Sequence, residues 1–199
     1  MTAPAATLLL VATLAASLVG LYSAPQLIER NLFRPYWFLR RRQYATLVTS
    51  AFIHASPGHL LFNCVTLWSF GFPLERRMGS DRFVALYALG LLVSGLGTLY
   101  KQRNNPDYAC LGASGAILAV LFASIVYFPT QSIMIMPIPL PIPAPLFALG
   151  YLVYTVYASR RARGRINHDA HLGGALAGLA FVALTDSSAF EQALRIVFR

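Results

Sequence analysis

The chain has 199 residues, 57% of them hydrophobic and only 12% charged. Soluble domains carry about 25% charged residues, so this composition, with a mean hydropathy of +0.58, excludes a single water-facing globule, a disordered chain and a disulfide scaffold. The net charge of +9 would suggest nucleic acid in a soluble protein, but here the basic residues sit in short loops between apolar runs, where they set topology and meet lipid phosphates.

Apolar runs at about 5–22, 59–74, 83–100, 114–128, 145–157 and 170–184 predict an all-α polytopic membrane protein, a single membrane domain over residues 1–199 with six transmembrane helices. The first run is followed by small residues at Ser23 and Ala24, as in a signal peptide. No Lys or Arg precedes it, so it reads as a true span. The loop from Ser23 to Gly58 holds Arg34-Pro-Tyr-Trp-Phe-Leu-Arg40-Arg-Arg. Aromatic rings between arginines read as a segment lying in the membrane interface.

The runs that begin near His59, Ser114 and Ala170 are shorter than the roughly 20 residues that cross a bilayer unaided. Short spans are tolerated where their ends line a wet cavity. Between the fourth and fifth runs, Met134–Pro145 carries prolines at 137, 139, 141, 143 and 145. Proline forbids regular helix, and an extended connector is expected. Cys64 and Cys110 carry no spacing signal and read as free thiols.

Spans two, four and six run in the same direction, so their starts share one side of the membrane. His54 and His59 precede or open span two, Ser114 opens span four, and His168 and His171 open span six. Polar groups at membrane depth are candidates for function. Ser114 lies in Gly112-Ala-Ser-Gly115. A serine at a helix start ordinarily caps it. Glycines on both sides, Gly112 and Gly115, also admit another backbone or a substrate.

Small residues recur every four positions in both helices, as Gly115, Ala119 and Ala123 and as Ala170, Gly174 and Gly178. Such stripes let helices pack backbone to backbone. That contact would bring Ser114 and His171 to the roughly 3 Å a nucleophile and its base need.

His59 and Asn63, four apart, share a helix face. Both can donate hydrogen bonds, either to a neighbouring helix or to a developing oxyanion. A zinc site is the rival reading of the histidines. The chain lacks His-Glu-x-x-His, and Asp169 is the one carboxylate beside them, so no metal is assigned. Asp169 reads as a first-turn charge facing the helix dipole, in preference to a third triad member.

The motifs His59-Leu-Leu-Phe-Asn63, Gly112-Ala-Ser-Gly115 and Ala170-His-Leu-Gly-Gly174, with Ala175 to Gly178 following and Glu75 and Gly79 between the first two, resemble the rhomboid intramembrane serine proteases. The likeness runs from about Tyr44 to Phe181. It implies a six-helix core with Ser114 as nucleophile and His171 as general base. The oxyanion hole would be the side chains of His59 and Asn63 with the backbone N–H of Ser114. It implies no metal or organic cofactor, no nucleic acid, transmembrane segments of client proteins as substrates, and the lipid bilayer as surroundings.

The location it implies is a bacterial inner membrane, with the active site on the extracytoplasmic side. Charge opposes that orientation. Loops one, three and five hold 11 Lys and Arg and the remaining segments 5, and positive loops favour the cytoplasm.

Two departures from the family pattern stand out. Leu118 occupies the place where some relatives have an aromatic stacked on the base, so packing of Ala170 and Gly174 is expected to hold His171. Arg40-Arg-Arg-Gln-Tyr44 replaces a Trp-Arg pair. The other readings are a non-catalytic relative that binds membrane clients, which should lack the serine or histidine present here, and a transporter or metal-dependent enzyme.

Overall fold

The protein is described by a computed structural model covering residues 2–135, 138–161 and 167–197. In chain order the helices begin with α1 (Pro4–Tyr22), α2 (Pro25–Asn31), α3 (Pro35–Arg40) and α4 (Thr46–Thr49), and continue with α5 (Pro57–Thr66), α6 (Phe72–Met78), α7 (Ser80–Gln102) and α8 (Ser114–Tyr127). A hairpin of β1 (Ser132–Ile135) and β2 (Ile138–Pro143) leads to α9 (Ala144–Arg161), α10 (His168–Thr185) and α11 (Ser187–Val197).

Proline opens α1, α2, α3 and α5. At that position its missing N–H costs nothing and its fixed φ suits the helix. Between α5 and α6 the chain keeps helical dihedrals through a π-helical turn, Leu67–Gly71. That wider turn lies just before Pro73, which cannot donate to the ladder. α6 stops at Gly79, whose φ of +87° is in the left-handed region that glycine adopts without strain.

Glu75 fastens the start of the chain to this corner. Its two carboxylate oxygens accept from the backbone N–H groups of Ala5 (3.0 Å) and Ala6 (2.7 Å) and from the Ser80 hydroxyl (2.6 Å). A carboxylate at the N-terminus of α1 meets the positive end of the helix dipole and satisfies amides that lack an acceptor within the helix.

α8 is the central helix, with every residue from Gly115 to Val126 buried. On one side it packs into a core with Phe83, Leu86, Leu74 and Val182, and on the other into a second core with Ile133, Ala144 and Ala175. Leu8, Val11, Leu96, Leu149 and Val153 point outward, an apolar exterior that water would not support.

α1 and α7 are each long and apolar enough to cross a membrane. α10 and α11 reach that standard only as a pair, bent by 114°, and α8 is a shorter apolar helix. The protein is thus mostly helical, with two or three such spans among the described residues.

Three features depart from the sequence expectations. Met134–Pro145 is not a simple extended connector: Ser132 pairs with Pro143, Ile133 with Ile142, Met134 with Pro141 and Ile135 with Ile138, in an antiparallel hairpin with an irregular register at its tip. A two-stranded ribbon leaves one edge of each strand unpaired, which is where proline fits, and the fold is therefore helical with one hairpin instead of purely α. The first loop contains the short helices α2, α3 and α4. Beyond the sixth apolar run, α11 is a further helix. Met136, Pro137, Arg163, Gly164, Arg165 and Arg199, which entered the proline and charge readings or the fifth loop, lie outside the described residues.

Candidate active site

Ser114 is the first residue of α8. Ala113 precedes it at the N-cap, and no side chain caps this end. Gly112 holds a φ of +105°, and a Cβ there would lie 2.6 Å from His59 Cε1. Both its backbone conformation and its neighbour require glycine. Its N–H donates to the Ser50 carbonyl at 2.9 Å, which ties the loop before Ser114 to the end of α4.

His171 lies in the first turn of α10. Asn167 caps that helix, its Oδ1 accepting from the Ala170 N–H at 3.1 Å, while its Nδ2 donates to Thr98 Oγ1 on α7 at 2.8 Å. Lys101 Nζ donates to Asp169 Oδ1 (2.8 Å) and to the Ser159 carbonyl (3.0 Å). Asp169 therefore turns to Lys101 and ties α10 to the ends of α7 and α9.

α10 meets α8 through glycines that bring its backbone against the α8 backbone at Gly115 and Ala119. A Cβ on Gly174 would overlap the Gly115 carbonyl, one on Gly178 would overlap the Ala119 carbonyl, and one on Gly115 would overlap the Ser94 side chain of α7. This approach leaves His171 Nε2 2.8 Å from Ser114 Oγ. Serine hydroxyl and imidazole are then within hydrogen-bond reach, as a nucleophile and general base require.

Ala170 and Gly174 pack on Gly115 as expected, and beyond that packing Tyr151 Oη of α9 lies 3.0 Å from His171 Nδ1. The tyrosine ring stacks on Phe147 (centroids 5.6 Å apart, 24° between planes) and leans on Phe122 of α8 at 5.9 Å. Sequence reasoning missed Tyr151. α9 also carries Tyr154 and Tyr157, and only the register of α9 against α10 selects one of the three.

His59 and Asn63 stand on the α5 side of Ser114. Asn63 is buried, and its Nδ2 donates to the His59 carbonyl at 3.2 Å and lies 2.9 Å from His54 Nε2. The Ser17 hydroxyl of α1 donates to the Phe52 carbonyl at 3.0 Å, so at its 3.0 Å contact with His54 Nδ1 it accepts. His54 then carries its proton on Nδ1, and its Nε2 accepts from Asn63. Burial, with His59 edge-on 4.8 Å away, pushes the His54 imidazole down to about 3, and it stays neutral.

The structure thus turns His54, which sequence reasoning left without a role, into the partner of Asn63. His168 faces the Tyr154 ring at 5.5 Å and lies 6.2 Å from the His171 ring. Among the described residues, no three His, Cys, Asp or Glu converge as a metal site. Cys64 and Cys110 are free thiols, and burial pushes Cys110 up to about 11.

A family model, the Rhomboid domain, matches residues 41–187. Over 173 residues the chain is 27% identical to "Rhomboid protein 1, mitochondrial" of Saccharomyces cerevisiae, covering 82% of this chain and 49% of the relative. It is 33% identical over 138 residues to "Presenilin-associated rhomboid-like protein A, mitochondrial" of Danio rerio, covering 68% and 36%. It is also 33% identical over 148 residues to "Presenilin-associated rhomboid-like protein, mitochondrial" of Homo sapiens, covering 68% and 36%. The chain spans half or less of the length of these curated relatives. Their names place them in mitochondria, and that finding overturns the bacterial inner membrane expected from the sequence, while the integral-membrane reading stands.

Proposed function

The chain belongs to the rhomboid family, and on that premise we propose that it is an intramembrane serine endopeptidase that cleaves transmembrane segments of client membrane proteins. The observation that carries this reading is the 2.8 Å contact between Ser114 Oγ and His171 Nε2. In this reading six helical rods cross the bilayer: α1, α5 continued by α6, α7, α8, α9 and α10. α8 has 14 residues and is about 21 Å long, short of the roughly 30 Å hydrocarbon core. In this reading the Ser114 end of α8 lies below the membrane surface, and water must reach it along protein and not through lipid.

His171 Nε2 takes the Ser114 proton as Oγ attacks the scissile carbonyl. The oxyanion that forms is held by the Ser114 N–H, which as the first amide of α8 has no acceptor within its helix, and by donors from His59 and Asn63. Asn63 turns one N–H from its present acceptors toward the oxyanion. His171 then protonates the leaving amine, and water resolves the acyl-enzyme. Gly112 makes room for the His59 ring and Gly115 for α7 and α10, so these groups close around Ser114. The mechanism uses no metal or organic cofactor. A helical client must unwind at the scissile bond, which favours small or helix-breaking residues near the cut.

The test is cleavage of a model transmembrane substrate by the purified protein. Ser114→Ala and His171→Ala should each abolish it in folded protein, and a fluorophosphonate should label wild type at Ser114. Cleavage by folded Ser114→Ala would overturn the proposal.

A further inference from the structure

We infer that Tyr151 is the positioning residue of the base, holding His171 in the tautomer that can accept the serine proton; this rests on the protease reading above. For Nε2 to take a proton from Ser114, the neutral imidazole must carry its own proton on Nδ1. That N–H needs an acceptor, and Tyr151 Oη stands 3.0 Å away. When His171 becomes an imidazolium, the same N–H continues to donate, and the phenol dipole faces the new charge.

The tyrosine is itself held in place. Phe147, one turn earlier on α9, stacks on its ring, and Phe122, two turns after Ser114 on α8, closes the other approach. The hydroxyl therefore reports the positions of α8, α9 and α10 to one imidazole nitrogen. Asp169, the carboxylate nearest in sequence, is occupied by Lys101. A phenol does in this place what an aspartate does in a Ser-His-Asp triad, without burying a charge at membrane depth, where an ionised carboxylate is expensive.

Tyr151→Phe removes only the hydroxyl and keeps the stacked ring. In the substrate assay, kcat should fall roughly 10- to 100-fold, less than the roughly 10,000-fold loss when a triad aspartate becomes an asparagine and fixes the wrong tautomer. Phenylalanine leaves His171 free to visit both tautomers. KM should stay within about twofold, because the hydroxyl acts on the chemical step. Fluorophosphonate labelling of Ser114 should slow by the same factor as kcat. Tyr154→Phe, one residue class and nearly one turn away, should leave the rate unchanged.

A second readout does not depend on turnover. In protein labelled with 15N-histidine, with His171 assigned from the His171→Gln spectrum, wild type should show the Nδ1–H form and Tyr151→Phe a mixture of tautomers. An unchanged tautomer together with kcat within about twofold of wild type would overturn the inference. If wild type neither cleaves nor labels, the protease reading falls, and the tautomer shift alone decides whether Tyr151 orients His171.

Discussion

A Cβ added to Gly174 would overlap the carbonyl oxygen of Gly115. The backbones of α10 and α8 are therefore in direct contact, one turn beyond His171 and beside Ser114. Gly174→Ala must push the helices apart, and overpacking of this kind costs about 1–3 kcal/mol. The misplacement should also lower cleavage by roughly 100-fold, since about 1 Å of displacement at reacting groups has that effect. Thermal unfolding in detergent and substrate cleavage measure the two parts. Gly150→Ala, on α9 with nothing within 4 Å of its added Cβ, serves as the control: it should leave cleavage unchanged and should not lower stability, since alanine favours helix over glycine.

The donors of the proposed oxyanion hole are separable from the base. Loss of one such donor costs roughly 100- to 1,000-fold in kcat. Asn63→Ala and His59→Ala should therefore be impaired and still measurable, and Asn63→Ala should still label at Ser114. Wild-type rates in both would leave these side chains as contacts between helices only.

His54 provides a pH test. Its folded pKa, about 3 against an ordinary 6.5, means that the unfolded chain binds the proton first as pH falls. The stability that depends on neutral His54 is complete above about pH 6.5 and is lost progressively as pH drops from 6.5 toward 3. The melting temperature in detergent should fall over that window, and His54→Gln should flatten the fall. The same pH slope in both proteins would refute the neutral link between Ser17 and Asn63.

Glu75 offers a test far from the proposed catalytic groups. Glu75→Gln keeps the shape but removes the charge and leaves one acceptor oxygen for the Ala5, Ala6 and Ser80 donors. Leaving such buried donors unsatisfied costs about 1–3 kcal/mol. Thermal unfolding should show the loss, with Ser80→Ala losing less, because Ala5 and Ala6 keep their acceptor. Fluorophosphonate labelling at a temperature where the variant is folded should match wild type.

Much of this protein is legible along the chain. Its composition declares a membrane protein, and the order of three short motifs declares the rhomboid family. The spacing of four between His59 and Asn63 puts them on one helix face, because 3.6 residues per turn is a local property. Proline at helix starts and glycine at 79 mark element ends for equally local reasons.

The proline-rich stretch is extended, as read, but its pairing was not legible, because proline forbids helix without saying whether strands will pair. Tertiary structure alone decided the rest. Ser114 and His171 are 57 positions apart, Tyr151 and His171 are 20, and Ser17 and His54 are 37. Contacts over those separations depend on how deep each helix sits and how it is turned about its axis. Those settings come from glycines meeting carbonyls and aromatic rings stacking between helices, which no periodicity within one helix records. Hence three tyrosines in α9 look alike in sequence, and the packed bundle brings the hydroxyl of one of them to the histidine.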